Sequence, residues 1–469
     1  MLEITGDSRS FCDGVSRRSF IKVGTLGFMG LTLSDLLRLR TAMASAVPSP
    51  PGPPGGAGAS TEGAARPKGT GRKKSVILVW MHGGPTQLET YDPKPEAPSE
   101  YRGPYGAMET SVPGFRISER LPLQARVMDK CTVIRSFTHQ DGDHFAAAHW
   151  LLTGYYGSTA GNKTPQYPSM GSIVAKVLGP NRSDMLPYVN MNDGGFGYHG
   201  AAYLGVSYNP FRTGSDSFGN EGEQLAVASA QSFTLAGGIT RDRFQDRREL
   251  LTRLDRLRRD VDQRGEMVGM DRFEEQAVEI VLSGRAREAF DLSRESPRVR
   301  ELYGPSWGEQ ALLARRLVEA GVTFVTLNTG YWDDHGDIKG AMERKLPRHD
   351  RMVAALIEDL AARGMLEDVL VICAGEFGRT PKINPGAGRD HWPQAQSILL
   401  AGGSYRHGQV IGATNSKAEV PIDRPVRPAD LCALVYHHLG IDSSLTNLNL
   451  SGRPVHLLHG GEVPRELLS

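Results

Sequence analysis

Glu376 and His391 stand about fifteen residues apart in two loop-like segments, Gly375-Glu376-Phe377-Gly378-Arg379-Thr380-Pro381 and Gly388-Arg389-Asp390-His391-Trp392-Pro393. A carboxylate and an imidazole offered from neighbouring loops are what a divalent metal site needs. The same habit recurs along the chain. Six of the 13 histidines, His82, His139, His144, His149, His335 and His391, follow apolar runs or open one helix. Asp143, Asp333, Glu376 and Asp390 lie near them. Any one of these histidines is more commonly a hydrogen-bonded loop or core residue. Shared placement after several strands points instead to a common centre, because the ends of parallel strands converge in space.

The elements that must position these groups are legible as apolar runs. Ser75 to Met81 reads as a central strand ending at His82-Gly83-Gly84-Pro85. Cys131 to Ser136 reads as a second strand, after which the segment Thr138 to His144 opens a helix through Leu152, the Asp and Gly before it suiting a helix N-terminus. An amphipathic helix from Glu309 to Ala320 leads into a strand from Val322 to Leu327 and then Trp332-Asp333-Asp334-His335. A helix from His349 to Arg363 feeds a strand from Val369 to Cys373, which delivers Glu376. Ser397 to Ala401 is a further strand, and Arg427 to Leu439 a closing helix. This alternation predicts an α/β fold with a mostly parallel sheet and helices on both faces. The loop from Pro187 to Pro210, rich in Gly, Asn and Tyr, reads as a pocket wall. Arg241 to Arg294 is strongly charged, with Leu250, Leu254, Leu257 and Val261 at helical spacing, so it reads as a helical insert with a solvated face.

Within the candidate centre, Asp333 and His335 alternate in a short turn and can face one ion. His144 and His149 are five apart on their helix, so one of them points elsewhere, and His144 is nearer the helix start. Oxygen and imidazole without thiolate suits zinc, manganese or iron better than magnesium or calcium. Asp333, His335 and His391 are expected to hold one metal; Glu376, His82 and His144 complete a second or position water. Arg379 and Arg389 either clamp a phosphate or sulfate or pair with the nearby carboxylates. His139 and His149 are further candidates for substrate contact.

The whole chain has 469 residues and a formal charge of +1. That length buries a substantial core, and the charge balance supplies no global field for nucleic acid or an acidic membrane. Ser16-Arg17-Arg18-Ser19-Phe20-Ile21-Lys22 precedes a moderately apolar run from Val23 to Leu37 and the small residues Ala42-Met43-Ala44. The order basic, apolar, small reads as a twin-arginine export signal over residues 1–46, with the twin-arginine translocase as partner, and about fifteen apolar residues are too few for a stable span. The bland alternative is an amphipathic surface helix with two chance arginines. Residues 47–74 form a Pro/Gly-rich linker, and 75–469 the globular domain. The expected location is periplasmic or secreted. Cys131, Cys373 and Cys432 sit beside apolar residues and read as small core hydrophobes, leaving room for at most one disulfide.

Several of these segments together resemble a known family. His82-Gly83-Gly84-Pro85-Thr86-Gln87-Leu88-Glu89-Thr90-Tyr91-Asp92-Pro93-Lys94, the helix end Leu312 to Gly321, the Trp332 to His335 turn and the two segments around Glu376 and His391 resemble the domain-of-unknown-function 1501 family of secreted bacterial proteins, over roughly residues 75 to 460. That family is similar in turn to the alkaline phosphatase and sulfatase superfamily. The resemblance implies an alkaline phosphatase-like fold with one or two divalent metals at the carboxyl ends of a parallel sheet, and the ligand set above makes zinc or manganese the expected ion. It implies hydrolysis of a phosphate or sulfate ester on a small molecule or polysaccharide. Glu376 would stand for the superfamily's Asp, with Phe377 replacing its His. His144 falls at the nucleophile's place and becomes the catalytic candidate; His82 falls where the superfamily has a metal-binding Asp. The departures count: no formylglycine precursor and no Ser or Thr nucleophile stands at the helix start, and Ser136 and Thr138 lie before it. Metal-activated water is then the economical mechanism, and a binding protein that kept the fold while losing the nucleophile is the alternative.

Overall fold

The computed structural model describes residues 73–157, 164–192, 198–213, 232–233 and 266–468. The twin-arginine segment, most of the linker and the first half of the charged insert, including Leu250, Leu254, Leu257 and Val261, lie outside the described residues. All described residues belong to one compact unit within Ala64–Ser469.

Eight strands form the central sheet: β1 (Ser75–Met81), β2 (Cys131–Phe137), β3 (Tyr188–Met191), β4 (Phe211–Thr213), β5 (Phe324–Thr329), β6 (Val369–Ala374), β7 (Gln396–Gly402) and β8 (Gln409–Ile411). Their spatial order is β8-β2-β7-β6-β1-β5-β3-β4. β1 pairs in parallel with both β5 and β6. β7 runs antiparallel to both of its neighbours, β2 and β6. The remaining pairs are parallel, so the expected mostly parallel α/β sheet is borne out.

β1 shows why the sheet is central. All seven of its residues are buried, because both faces are covered. Ile77, Val79 and Met81 pack on one side with the helices Trp307–Ala320 and Ile338–Ala362. Val76, Leu78 and Trp80 pack on the other with His144–Thr153, Met170–Val177 and Pro428–Leu439. The two-residue period of a strand divides one apolar run between two cores. Full burial of each such aliphatic side chain contributes about 1.5–3 kcal/mol.

The helix expected from His349 begins instead at Ile338, with Asp337 accepting from the Gly340 amide at its start, and it runs through Pro347. A proline inside a helix removes one backbone bond; here Leu346, Met352, Val353 and Leu356 bury the same face, which offsets that loss. The described part of the charged insert is helical over Glu266–Ser283 and Arg285–Phe290. Cys131, Cys373 and Cys432 are free and buried, as expected of core residues. No helix among the described residues is long and apolar enough to cross a membrane.

Candidate metal centre

β1, β2, β5 and β6 all point the same way, so His82, the loop ahead of His144, the Trp332 to His335 turn and Glu376 emerge at one edge of the sheet. His391 reaches that edge by the opposite route. β7 is antiparallel, and the residues just before it therefore lie where the other strands end. A two-residue ladder pairing His391 with Arg379 fixes the approach.

Backbone contacts stitch these loops together. The Trp332 amide donates to the His82 carbonyl at 2.7 Å. Gly83 has φ of 103°, and a Cβ there would fall 2.6 Å from the Asp333 nitrogen, so only glycine lets the first loop pass this close to the turn. Gly388 does the same beside His335, where a Cβ would lie 2.1 Å from the His335 carbonyl carbon. The helix bearing His144 starts at Asp143, whose carboxylate accepts from the amides of Phe145 and Ala146. That makes Asp143 a helix cap, not a ligand as its spacing suggested.

Asp333 is the hub. His391 Nε2 and His335 Nε2 each lie 3.0 Å from its Oδ1, and His144 Nε2 lies 3.2 Å from its Oδ2. Arg379 reaches Oδ1 at 2.5 Å, and the Tyr331 hydroxyl donates to Oδ2 at 3.0 Å. Each imidazole is held from behind by its other nitrogen. His144 Nδ1 is 2.6 Å from Glu376 Oε1, His335 Nδ1 is 2.7 Å from Asp390 Oδ1, and His391 Nδ1 is 2.7 Å from the Gly142 carbonyl. Those partners accept only, so each Nδ1 carries the hydrogen. In a neutral imidazole the Nε2 lone pair then faces the Asp333 carboxylate, an arrangement that repels unless a positive charge lies between.

A divalent cation satisfies this geometry. His144, Asp333 and His391 offer ligand atoms that all lie within 4.8 Å of one another. Two ligands on a tetrahedral zinc, each about 2.0–2.1 Å from it, sit roughly 3.3–3.4 Å apart, close to the separations around Asp333. Imidazoles whose second nitrogen is fixed by a carboxylate or carbonyl are the usual form of a metal-binding histidine. The residues present therefore fit a His and Asp metal group, with His335 adjoining it through Asp333.

Without a metal, a proton on His144 takes the cation's place. Burial would depress His144, but Asp333 and Glu376 outweigh it and push its pKa up to about 9. Burial raises Asp333, yet His144, His391 and Arg379 hold its carboxyl far below the usual range. Tyr331 is pushed up to about 12 by burial and by the Asp333 charge, so it remains a donor.

The other expected site residues fall into two groups. Glu376 is fully buried and adjoins the centre, but it holds His144 and accepts from the Gly83 amide at 2.8 Å instead of reaching Asp333; burial opposes its ionisation, and His82 and His144 overcome that. Its Oε2 has no hydrogen-bond partner among the described residues. His82 lies behind it, with Nδ1 3.9 Å from Glu376 Oε1 and hydrogen-bonded to the Tyr198 hydroxyl. His139 is a support: its Nε2 meets the Glu376 carbonyl at 2.7 Å.

Like His139, the other residues expected to contact substrate, Arg389, His149 and Arg379, are placed in contacts within the protein. Arg389 is buried against Glu89, with bonds of 2.7 and 3.0 Å, and donates to the carbonyls of Tyr101, Thr380 and Pro381. Its donors are consumed, so it resolves the earlier alternative in favour of pairing. His149 binds the Tyr155 carbonyl and receives the Gln166 and Tyr167 amides, and burial lowers its pKa to about 4. It is a neutral loop fastener. Arg379 contacts Asp333 and the Gly83 and Gly84 carbonyls from a fully buried position, which also places it as a pairing group. Sequence reasoning missed Tyr331, although it directly precedes the recognised turn, and Tyr198, which lies in the loop read as a pocket wall.

The sequence model of the family described as "Protein of unknown function (DUF1501)" matches residues 73–468. The chain belongs to that family. No curated protein matches it in sequence. Among solved structures, the PsFucS1 sulfatase from Pseudoalteromonas sp. is similar at 12% identity and a TM-score of 0.38, over 80% of this chain and 69% of that one. The lipoteichoic acid synthase LtaP from Listeria monocytogenes gives 11% and 0.34, over 82% and 74%. Alkaline phosphatase from the Antarctic bacterium TAB5 gives 12% and 0.34, over 79% and 99%. At such identities and scores no residue role transfers from them.

Proposed function

We propose that this is an exported, metal-dependent hydrolase of phosphate or sulfate esters. The observation that supports it is the convergence of three imidazole Nε2 atoms on Asp333, each fixed from behind through Nδ1. His144, His391 and Asp333 would hold the metal, with His335 joining them, and an oxygen and imidazole set of this kind suits zinc or manganese. A bound divalent ion lowers the pKa of water towards about 7 and polarises an ester oxygen, so no protein nucleophile is required. Glu376 and Asp390 orient their histidines, Arg379 balances the Asp333 charge, and Tyr331 offers a donor at the mouth. The ester class rests on the motif resemblance, and export on the Arg17-Arg18 segment.

Protein purified without a chelating tag should carry close to one equivalent of a transition metal by mass spectrometry; less than about a tenth would overturn the metal assignment. Turnover should then appear on a panel of aryl and sugar phosphates and sulfates and vanish on chelation. A second reading, a metal-binding protein without turnover, draws on Ser136, whose hydroxyl donates to the Arg424 carbonyl and is unavailable as a nucleophile. Full metal occupancy with no hydrolysis across the panel would favour it. Export is tested separately: Arg17→Lys with Arg18→Lys should abolish periplasmic accumulation, and unchanged accumulation would refute the signal.

A further inference from the structure

A cavity of about 570 Å³ opens beside the metal centre, within the range of small-molecule sites. Its lining includes Tyr101, Lys382, Asn384, Asp390, Trp392 and Glu419. Asp390 is common to both places: one carboxylate oxygen holds His335 Nδ1, at 2.7 Å, while the residue also lines the cavity. The cavity is thus joined to the outer side of the Asp333 cluster through Asp390 and His335.

Its chemistry is specific in three respects. Two aromatic rings, Tyr101 and Trp392, are presented and partly buried. Both are anchored: Lys417 lies 4.5 Å from the Tyr101 ring centroid, and Trp392 Nε1 donates to the Glu419 carbonyl at 2.7 Å. Around them stand the carboxylates of Asp390 and Glu419 and the ammonium of Lys382, with the Lys417 ammonium beside Tyr101, while the Asn384 amide is spent on the His335 carbonyl, Asp390 and the Gly388 amide. A purely apolar ligand would strand these polar groups, and a bare polyanion would meet two carboxylates. A ligand with apolar ring faces and hydroxyls around its rim satisfies these groups, since aromatic planes cover the C–H faces while the carboxylates and the lysine ammonium bind hydroxyls.

From this we infer that the cavity is a carbohydrate subsite, taking one or two pyranose rings of a sugar whose ester group extends past Asp390 to the metal centre. The position of the ester rests on the function proposed above; the sugar subsite itself does not.

The test is binding, measured apart from hydrolysis. The purified protein is applied to an array of neutral, sulfated and phosphorylated oligosaccharides, and affinities for the bound members are measured by calorimetry. Wild type should bind at least one oligosaccharide, and Trp392→Ala should weaken that by about tenfold or more, as loss of an aromatic platform implies. Trp392→Phe keeps a ring but loses the bond to Glu419, so it should retain most of the affinity. Equal loss in both variants would mark Trp392 as structural and overturn the inference. Tyr101→Ala, which leaves that bond intact, should also weaken binding severalfold. Absence of any bound oligosaccharide, or undiminished binding in both Trp392→Ala and Tyr101→Ala, would overturn the subsite. Sugar binding in a protein that holds no metal would sink the hydrolase reading alone; ester hydrolysis without sugar binding would sink the subsite alone.

Discussion

Two charged clusters, one around Arg389 and one around Asp333, both draw on the short segment Arg389–His391, and they are built on opposite rules. In the first, one cation meets one carboxylate: Arg389 pairs with Glu89, and the surrounding carbonyls take its other hydrogens. Glu89 also receives the Thr86 hydroxyl at 2.5 Å. In the second, one carboxylate is approached by three imidazoles, a guanidinium and a phenol, and the nearby Glu376 Oε2 finds no hydrogen-bond partner among the described residues. A closed network is complete as it stands and serves the fold. The open one leaves a place for the metal proposed above. Burial therefore separates the clusters less well than satisfaction does, since Arg389 and Glu376 are both fully buried.

The largest effect should come from opening the closed cluster. Arg389→Ala strands the Glu89 charge in the interior and should cost about 3–5 kcal/mol in urea unfolding, while the folded fraction keeps its metal. Loss of metal with little loss of stability would reverse the comparison. A smaller effect concerns His149, a second closed group. Its folded pKa of about 4 lies below the unfolded value of 6.5, so it contributes stability that is fully present above pH 6.5 and is lost as pH falls towards 4. The stability lost across that window should reach about 2–3 kcal/mol. His149→Gln should flatten that part of the pH profile, and an unchanged slope would show that other groups cause it.

The open cluster should respond in the opposite sense. Asp333→Asn should lower metal affinity by about a hundredfold or more, roughly 2.7 kcal/mol. Glu376→Gln preserves an oxygen for the His144 Nδ1 hydrogen and removes only charge, so metal affinity should fall by about tenfold, or 1.4 kcal/mol. Metal titration of each folded variant checks both. A greater loss in Glu376→Gln than in Asp333→Asn would move the metal away from Asp333 and towards His82 and Glu376.

Much of the frame was legible because it depends on local pattern. The runs at Ser75 and Val369 are almost wholly apolar, and that at Cys131 is apolar at Val133, Ile134 and Phe137; all three form strands within a residue or two of expectation. His82, His144, Asp333, Glu376 and His391 were recognisable for a related reason: each follows or precedes such a run, and strand ends are where an open sheet exposes its loops. Short strands were less visible. Tyr188–Met191, Phe211–Thr213 and Gln409–Ile411 have three or four residues each, too few for a period to show.

Sequence by itself thus determined the layers of this protein and the set of side chains available to its centre, since hydrophobic period and residue type are local properties. Tertiary structure alone decided which of them meet. The reversed direction of Gln396–Gly402 carries His391 to the edge where the parallel strands end. The same packing turns Arg389 inward to Glu89 and leaves Asp333 facing three imidazoles. Pairing of this kind depends on which groups lie within about 3 Å after folding, and residues more than 50 positions apart reach that distance only through the sheet order.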